Sequence, residues 1–116
     1  MKAFKPRKKD NPEAKIQKSI IEMLRIKGWF VKPTHGNMYQ SGFPDLFACH
    51  SRYGQRWIEV KLPGFKGSKF TGAQLNDFAK LCANGSGVWI LTAATEEEYQ
   101  KLFSRSNWWT YLSVMK

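Results

Sequence analysis

Two short segments hold the side chains best suited to chemistry. Residues 42–49, GFPDLFAC, place an aspartate directly after a proline, and residues 57–61, WIEVK, place a glutamate and a lysine two positions apart in an apolar run. Alternation in a strand sends Glu59 and Lys61 to one face and Ile58, Val60 and Leu62 to the other. Opposite charges then stand together on a segment apolar enough to be interior. If the preceding run pairs with it as a hairpin, Asp45 comes near Glu59 at the end of the sheet. Two carboxylates that close repel, and one is forced to hold a proton unless a cation lies between them. A divalent ion resolves the conflict: Mg²⁺ accepts carboxylates, a backbone carbonyl and waters, and leaves positions for phosphate oxygens. Lys66 and Lys69, in the loop after the strand, are placed to draw a phosphate backbone toward the same point.

Other residues join this set with ordinary structural roles open beside the chemical ones. Glu13 begins a helical pattern on the stripe that faces the core and can reach a sheet end, whereas Glu22 turns away. Its structural role is to complement the positive end of the helix dipole, worth ~0.3–1 kcal/mol. A strand E-x-K is by itself common and reads as a neighbouring ion pair. Gln74 has the spacing of a capping box with Thr71, and a place in the site is compatible with that duty. The loop PTHGNMYQSG, residues 33–42, offers His35, Asn37, Tyr39, Gln40 and Ser41 as contacts to phosphate or sugar. A single histidine near acids is more often a satisfied surface or core group than a catalyst.

These residues must be carried by a small set of elements. Asn11 as cap, Pro12 at the first helical position and Gly28 as stop frame a helix over EAKIQKSIIEMLRIK, with an apolar stripe through Ile16, Ile20, Met23 and Leu24. WFV at 29–31 opens the sheet. DLFACH and RWIEVKL are β-rich runs joined through SRYGQ, whose Gly54 marks the turn of a hairpin. After the glycine- and lysine-rich stretch PGFKGSKF, Thr71 opens a helix that runs to about Cys82 and ends near Gly85. GVWILT at 87–92 is a buried strand, and Thr95 with Glu98 forms a second capping box ahead of a short helix in EEEYQKLF. The tail NWWTYLSVMK is expected as a final strand. The order helix, three strands, helix, strand, helix predicts an α/β fold, a small central mixed β-sheet flanked by helices.

Composition sets the outer limits. The chain of 116 residues, 42% hydrophobic and 15% aromatic, suits one domain over 11–116 with a basic arm at 1–10, where five cations precede any apolar period. Nineteen Lys and Arg against nine Asp and Glu, a formal charge of +10, favour a polyanionic partner, nucleic acid first. Cys49 and Cys82 lie in apolar runs without partners at metal-ligand spacing and read as reduced core residues. No run approaches the ~20 apolar residues of a membrane span, and no secretion signal opens the chain, so the expectation is a cytoplasmic protein with no membrane partner. Trp29, Trp57 and Trp89 fall in expected strands and read as core. Trp108 and Trp109 would face opposite ways, one buried and one free to meet a partner chain.

Taken together, GFPDLFAC, WIEVK and the downstream FTGAQLNDF resemble the PD-(D/E)XK nuclease superfamily, and most closely its VRR-Nuc branch of virus-type replication and repair nucleases, across residues 13 to 92. The resemblance implies a restriction-endonuclease-like core and a Mg²⁺-dependent DNA endonuclease, with Mn²⁺ able to substitute. It implies metal binding by Asp45 and Glu59 with the Val60 carbonyl and Glu13 contributing, a role for Lys61 at the attacking water, a site role for Gln74, and products with 5′-phosphate and 3′-hydroxyl ends. It also implies branched, flapped or duplex DNA as substrate and pairing into a homodimer. PTHGNMYQSG departs from the Arg- and Asn-containing segment usual at this place in the family. Two other classes compete: a non-catalytic basic nucleic-acid-binding module, and an interaction protein that docks through its aromatic tail. A sequence-specific restriction-type endonuclease is disfavoured because nothing resembles an added recognition domain.

Overall fold

The computed structural model describes residues 11–34, 42–65 and 69–115. The arm at 1–10 and the proposed contacts His35, Asn37, Tyr39, Gln40, Ser41 and Lys66 lie outside them. Helix α1, Pro12–Ile26, starts as its sequence dictates: the Asn11 side chain accepts hydrogen bonds from the Glu13 and Ala14 backbone N–H groups at 3.0 and 3.2 Å, and Pro12 sits where no N–H is needed. At the other end Gly28 takes φ 95°, a left-handed geometry that lets the chain turn directly into the sheet.

Four strands follow: β1 Phe30–Pro33, β2 Leu46–His50, β3 Gly54–Val60 and β4 Val88–Leu91, in spatial order 1-2-3-4. The first two junctions are antiparallel and the third is parallel, reached through α2, Gly72–Ala83. The expected hairpin is present, with Gly54 at φ 86° where the chain enters β3. Lys61 lies one residue past β3, yet its backbone N–H still donates to the Leu91 carbonyl at 3.1 Å and extends the parallel ladder.

The sheet buries both faces unequally. Ile20 and Leu24 of α1 pack with Val31, Leu46, Ala48, Ile58 and Val60 on one side. On the other, Phe78 of α2 packs with Phe70, Val88, Ile90 and Trp108. Both cores follow from period-two alternation in the strands meeting a three-and-four stripe on each helix. No helix among the described residues is long and apolar enough to cross a membrane.

Two expectations change near the C-terminus. Thr95 caps α3, Glu96–Gln100, by accepting from the Glu98 N–H, but the Glu98 carboxylate does not return the bond. It instead accepts from the Thr92 backbone N–H at 2.9 Å and pairs with Lys101 at 2.6 Å. The tail is a 3₁₀ helix, Trp108–Met115, rather than a strand. The cause lies in the two residues before it: Ser106 Oγ bonds both the Val88 N–H and its carbonyl, and the Asn107 side chain accepts from the Ile90 N–H at 2.7 Å. These side chains occupy the outer edge of β4, where a fifth strand would have to pair. Asn107→Ala strips Ile90, which is fully buried, of those bonds and should cost about 1–3 kcal/mol in urea denaturation. A loss near zero would count against this account of the edge.

Candidate active site

The antiparallel ladder between β2 and β3 ends on the pair Leu46 and Ile58. One step further, Asp45 and Glu59 stand opposite each other, and their contacts are reciprocal. Glu59 Oε1 accepts from the Asp45 backbone N–H at 3.1 Å, while Asp45 Oδ2 accepts from the Val60 N–H at 2.9 Å. Within a strand residue the N–H and carbonyl leave on the same side, so the Val60 carbonyl is also directed to the edge where Asp45 sits. The turn delivering Asp45 is pinned on both flanks. The Asp45 carbonyl accepts from the Thr34 N–H at 2.8 Å, and the Thr34 hydroxyl bonds the Pro44 carbonyl. On the far flank, a Cβ added to Gly42 would come within 2.6 Å of the Ala73 carbonyl and closer still to Asp77 Oδ2, so only glycine lets the turn lie against α2.

Lys61 lies on the same face as Glu59, as alternation requires. Its Nζ is 3.2 Å from Glu59 Oε2 and donates to the Lys69 carbonyl at 2.9 Å and to Gln74 Oε1 at 3.1 Å. The Phe70 ring, 5.1 Å away, covers the ammonium. Gln74 closes the network because its capping duty orients its amide. Its Oε1 accepts from the Thr71 N–H at 3.0 Å, which turns Nε2 toward Glu59 Oε2 at 2.7 Å. The cap and the site are therefore one hydrogen-bond system.

Burial decides the electrostatics. Glu59, Lys61 and Gln74 are 2%, 4% and 8% exposed. Burial, and then the charge of Asp45, pushes the Glu59 carboxyl up to about 8 against the pull of Lys61 and Gln74. Asp45 is also raised, chiefly by burial, with Glu13 adding repulsion while the Val60 N–H and Lys61 oppose it. Glu13 thus acts on Asp45 by its charge from the first turn of α1, where it is half-buried. Among the described residues no three His, Cys, Asp or Glu side chains gather around a common point that could hold a metal.

The donor set fits a hard divalent cation. Two adjacent carboxyls and a carbonyl offer only oxygen, and once both acids are ionised they carry more negative charge than the single ammonium of Lys61 balances. Mg²⁺ is commonly held by one or two carboxylates with waters and substrate phosphates, so a third protein acid is not required. Lys69 also contributes through its backbone: its carbonyl anchors Lys61, and the residue itself is exposed. The sequence contains no signal for that carbonyl, nor for Phe70 as the cover over the ammonium.

No family model matches the sequence, and no curated protein matches it. Among solved structures, one described as "VRR_NUC domain" is similar with a TM-score of 0.61 and 22% sequence identity, covering 76% of this chain and 91% of that one. The fold is therefore that of a VRR_NUC domain: a four-stranded mixed sheet between helices, as the order of elements predicted.

The raised carboxyls carry a sign that can be measured. Between about pH 4.5 and about pH 8 the folded chain keeps a proton on Glu59 that the unfolded chain has released, so stability falls as pH rises through that window. In EDTA, Glu59→Gln should flatten this slope and match or exceed the wild type in urea midpoint at pH 8. A wild-type midpoint that climbs from pH 5 to pH 8 would refute the assignment. Thr71→Ala, which removes the hydroxyl that accepts from the Gln74 N–H at 3.0 Å, should cost about 1 kcal/mol by the same measurement.

Proposed function

We propose that this protein is a metal-dependent nuclease that hydrolyses phosphodiester bonds in DNA. The observation that carries the reading is the meeting of Asp45 and Glu59 across β2 and β3, with a buried lysine 3.2 Å from Glu59. Burying two adjacent acids beside a single cation disfavours the metal-free state, and a divalent ion relieves that repulsion. When bound, such an ion neutralises phosphoryl oxygens and acidifies a water, the two needs of phosphodiester hydrolysis. Asp45, Glu59 and the Val60 carbonyl would hold it, and Glu13 adds negative potential from α1. Mg²⁺ is the expected ion, with Mn²⁺ as a substitute.

The chain's own groups take the remaining tasks. Lys61 directs an ammonium toward the place where an attacking water and the growing phosphoryl charge would lie. Gln74 and the Lys69 carbonyl hold that ammonium in one position, so its orientation is set before substrate arrives. The formal charge of +10 attracts the polyanion and speeds its capture. The likeness to a VRR_NUC domain supports a nuclease, and the resemblance of the motifs extends the proposal to branched or flapped DNA, 5′-phosphate products and a homodimer. Trp108 is buried while Trp109 is 58% exposed, which offers one apolar contact for such a partner.

Purified protein should cleave labelled duplex, flap or junction DNA in Mg²⁺ and lose that activity in EDTA. Lys61→Ala should slow it on the order of 10²- to 10³-fold. Asp45→Asn should abolish cleavage while raising the urea midpoint in EDTA, because it removes a charge that burial disfavours. DNA binding without cleavage in any divalent ion, and without a response to Asp45→Asn, would make the protein a basic binding module instead.

A further inference from the structure

Among the described residues the α2 side of the sheet is only half covered, and its open half continues the row that holds the two acids. By the observed register Asp45 stands across from Glu59, and the next row on the same face is Lys32, Phe47 and Trp57, with Phe30 and Cys49 in the row beyond. Helix α2 packs over β4, which closes the face near Val88 and Ile90. Toward β1 the face stays more accessible: Phe30 is 56% exposed, Phe43 is 37% exposed, Lys32 is exposed, and Phe47 and Trp57 are half-buried, Trp57 packing also against the core under α2. The rings form a connected group, with Trp57 centred 5.0 Å from Phe47 and 5.6 Å from Phe43, both at steep angles.

An aromatic sheet face with an interleaved cation is chemically selective. Flat π-surfaces accept nucleobases without regard to sequence, and lysine accepts the phosphates between them. Successive rows along a strand are about 7 Å apart, so a strand of DNA whose phosphate lies at Asp45 and Glu59 can place an adjacent unpaired base on the Phe47 and Trp57 row. A base-paired duplex keeps its bases stacked inside and has no face to offer. A second copy of this chain fits the surface less well, since its own Lys32 and net charge of +10 would be brought against the same cations.

We propose that this half-face binds single-stranded DNA by stacking unpaired bases on Phe30, Phe47 and Trp57 beside the carboxylate row. This rests on the nuclease reading for the position of the phosphate, and it narrows the substrate class to DNA with a single-stranded segment next to the cleaved bond. Phe43 forms the rim on the α2 side, and Lys32 supplies the phosphate contact within the platform.

The test is a fluorescence-anisotropy titration of the full chain in EDTA, with a labelled oligo-dT strand and a labelled blunt hairpin duplex as separate probes. Trp57→Leu and Phe47→Leu should each weaken oligo-dT binding roughly 5- to 100-fold, the range for losing one stacked base, and leave the hairpin affinity within twofold. Phe30→Ser and Phe43→Ser alter exposed rings, so they should fold normally by circular dichroism. They decide the matter if the half-buried variants do not fold, and each should weaken oligo-dT binding several-fold. Equal weakening on both probes, or unchanged oligo-dT binding in folded variants, overturns the proposal. So does a shift from dimer to monomer in sedimentation velocity for Phe30→Ser with oligo-dT affinity unchanged, which would assign the face to a second copy. Because binding is read without metal, a failure to cleave in Mg²⁺ would refute the nuclease reading separately, without altering what the titration reports.

Discussion

Asp45 and Glu59 are held against each other by the antiparallel ladder that builds the sheet, and much of the molecule is organised around that enforced closeness. The Asp45 N–H donates to the Glu59 carboxyl and the Val60 N–H to that of Asp45, so the pair cannot separate without opening the end of the hairpin. Burial makes both charges unfavourable, and their mutual repulsion adds to it. A fold optimised for stability alone would place apolar residues there, as replacement of buried charges by packed apolar groups is often neutral or favourable. On the proposed nuclease reading, the acids mark a position where stability is exchanged for the ability to hold a cation.

The surrounding structure makes that arrangement tolerable through donors rather than countercharges. One ammonium is buried with the pair, and its remaining hydrogen bonds go to a carbonyl and an amide oxygen, so no further charge is desolvated. The amide belongs to the capping box of α2. A helix-start device worth about 1 kcal/mol in isolation thus also sets the orientation of the polar cluster. Coupling of this kind makes the N-terminus of α2 a structural and chemical unit, which the tight approach of Gly42 to Ala73 reinforces.

The two ends of the sheet are finished in different ways. At β4, Ser106 and Asn107 satisfy the outer backbone groups with side chains, and the chain then covers that side with a short 3₁₀ helix. At β1 the edge closes with Pro33, which has no N–H to offer a neighbour, while the adjacent face keeps its aromatic residues accessible. The asymmetry leaves one apolar region beside the acids and seals the opposite side.

Much of this was legible in the residues themselves. Local signals with a single physical meaning transferred directly: Asn11 and Pro12 at a helix start, Gly28 and Gly54 at turns, Thr71 with Gln74 as a cap, and alternation that places Glu59 and Lys61 on one face. Signals that depend on competition did not. The tail has strand-like composition, yet Ser106 and Asn107 take the partner groups that a strand would need. Glu98 has capping spacing, yet Thr92 and Lys101 compete for its carboxylate. Trp57 reads as core by its position in a strand, but half-coverage of the sheet leaves it partly open.

What the linear chain determined was the set of elements and the side to which each residue turns, because helix caps, turn glycines and strand alternation act over a few positions. Only the tertiary structure decided which distant groups share one environment. The register that sets residue 45 against residue 59, the carbonyl of Lys69 over the ammonium of Lys61, and the half-covered aromatic row all arise from pairing and packing between segments. Contacts of that kind depend on where backbones come to rest against one another, and no local pattern of residues encodes that position.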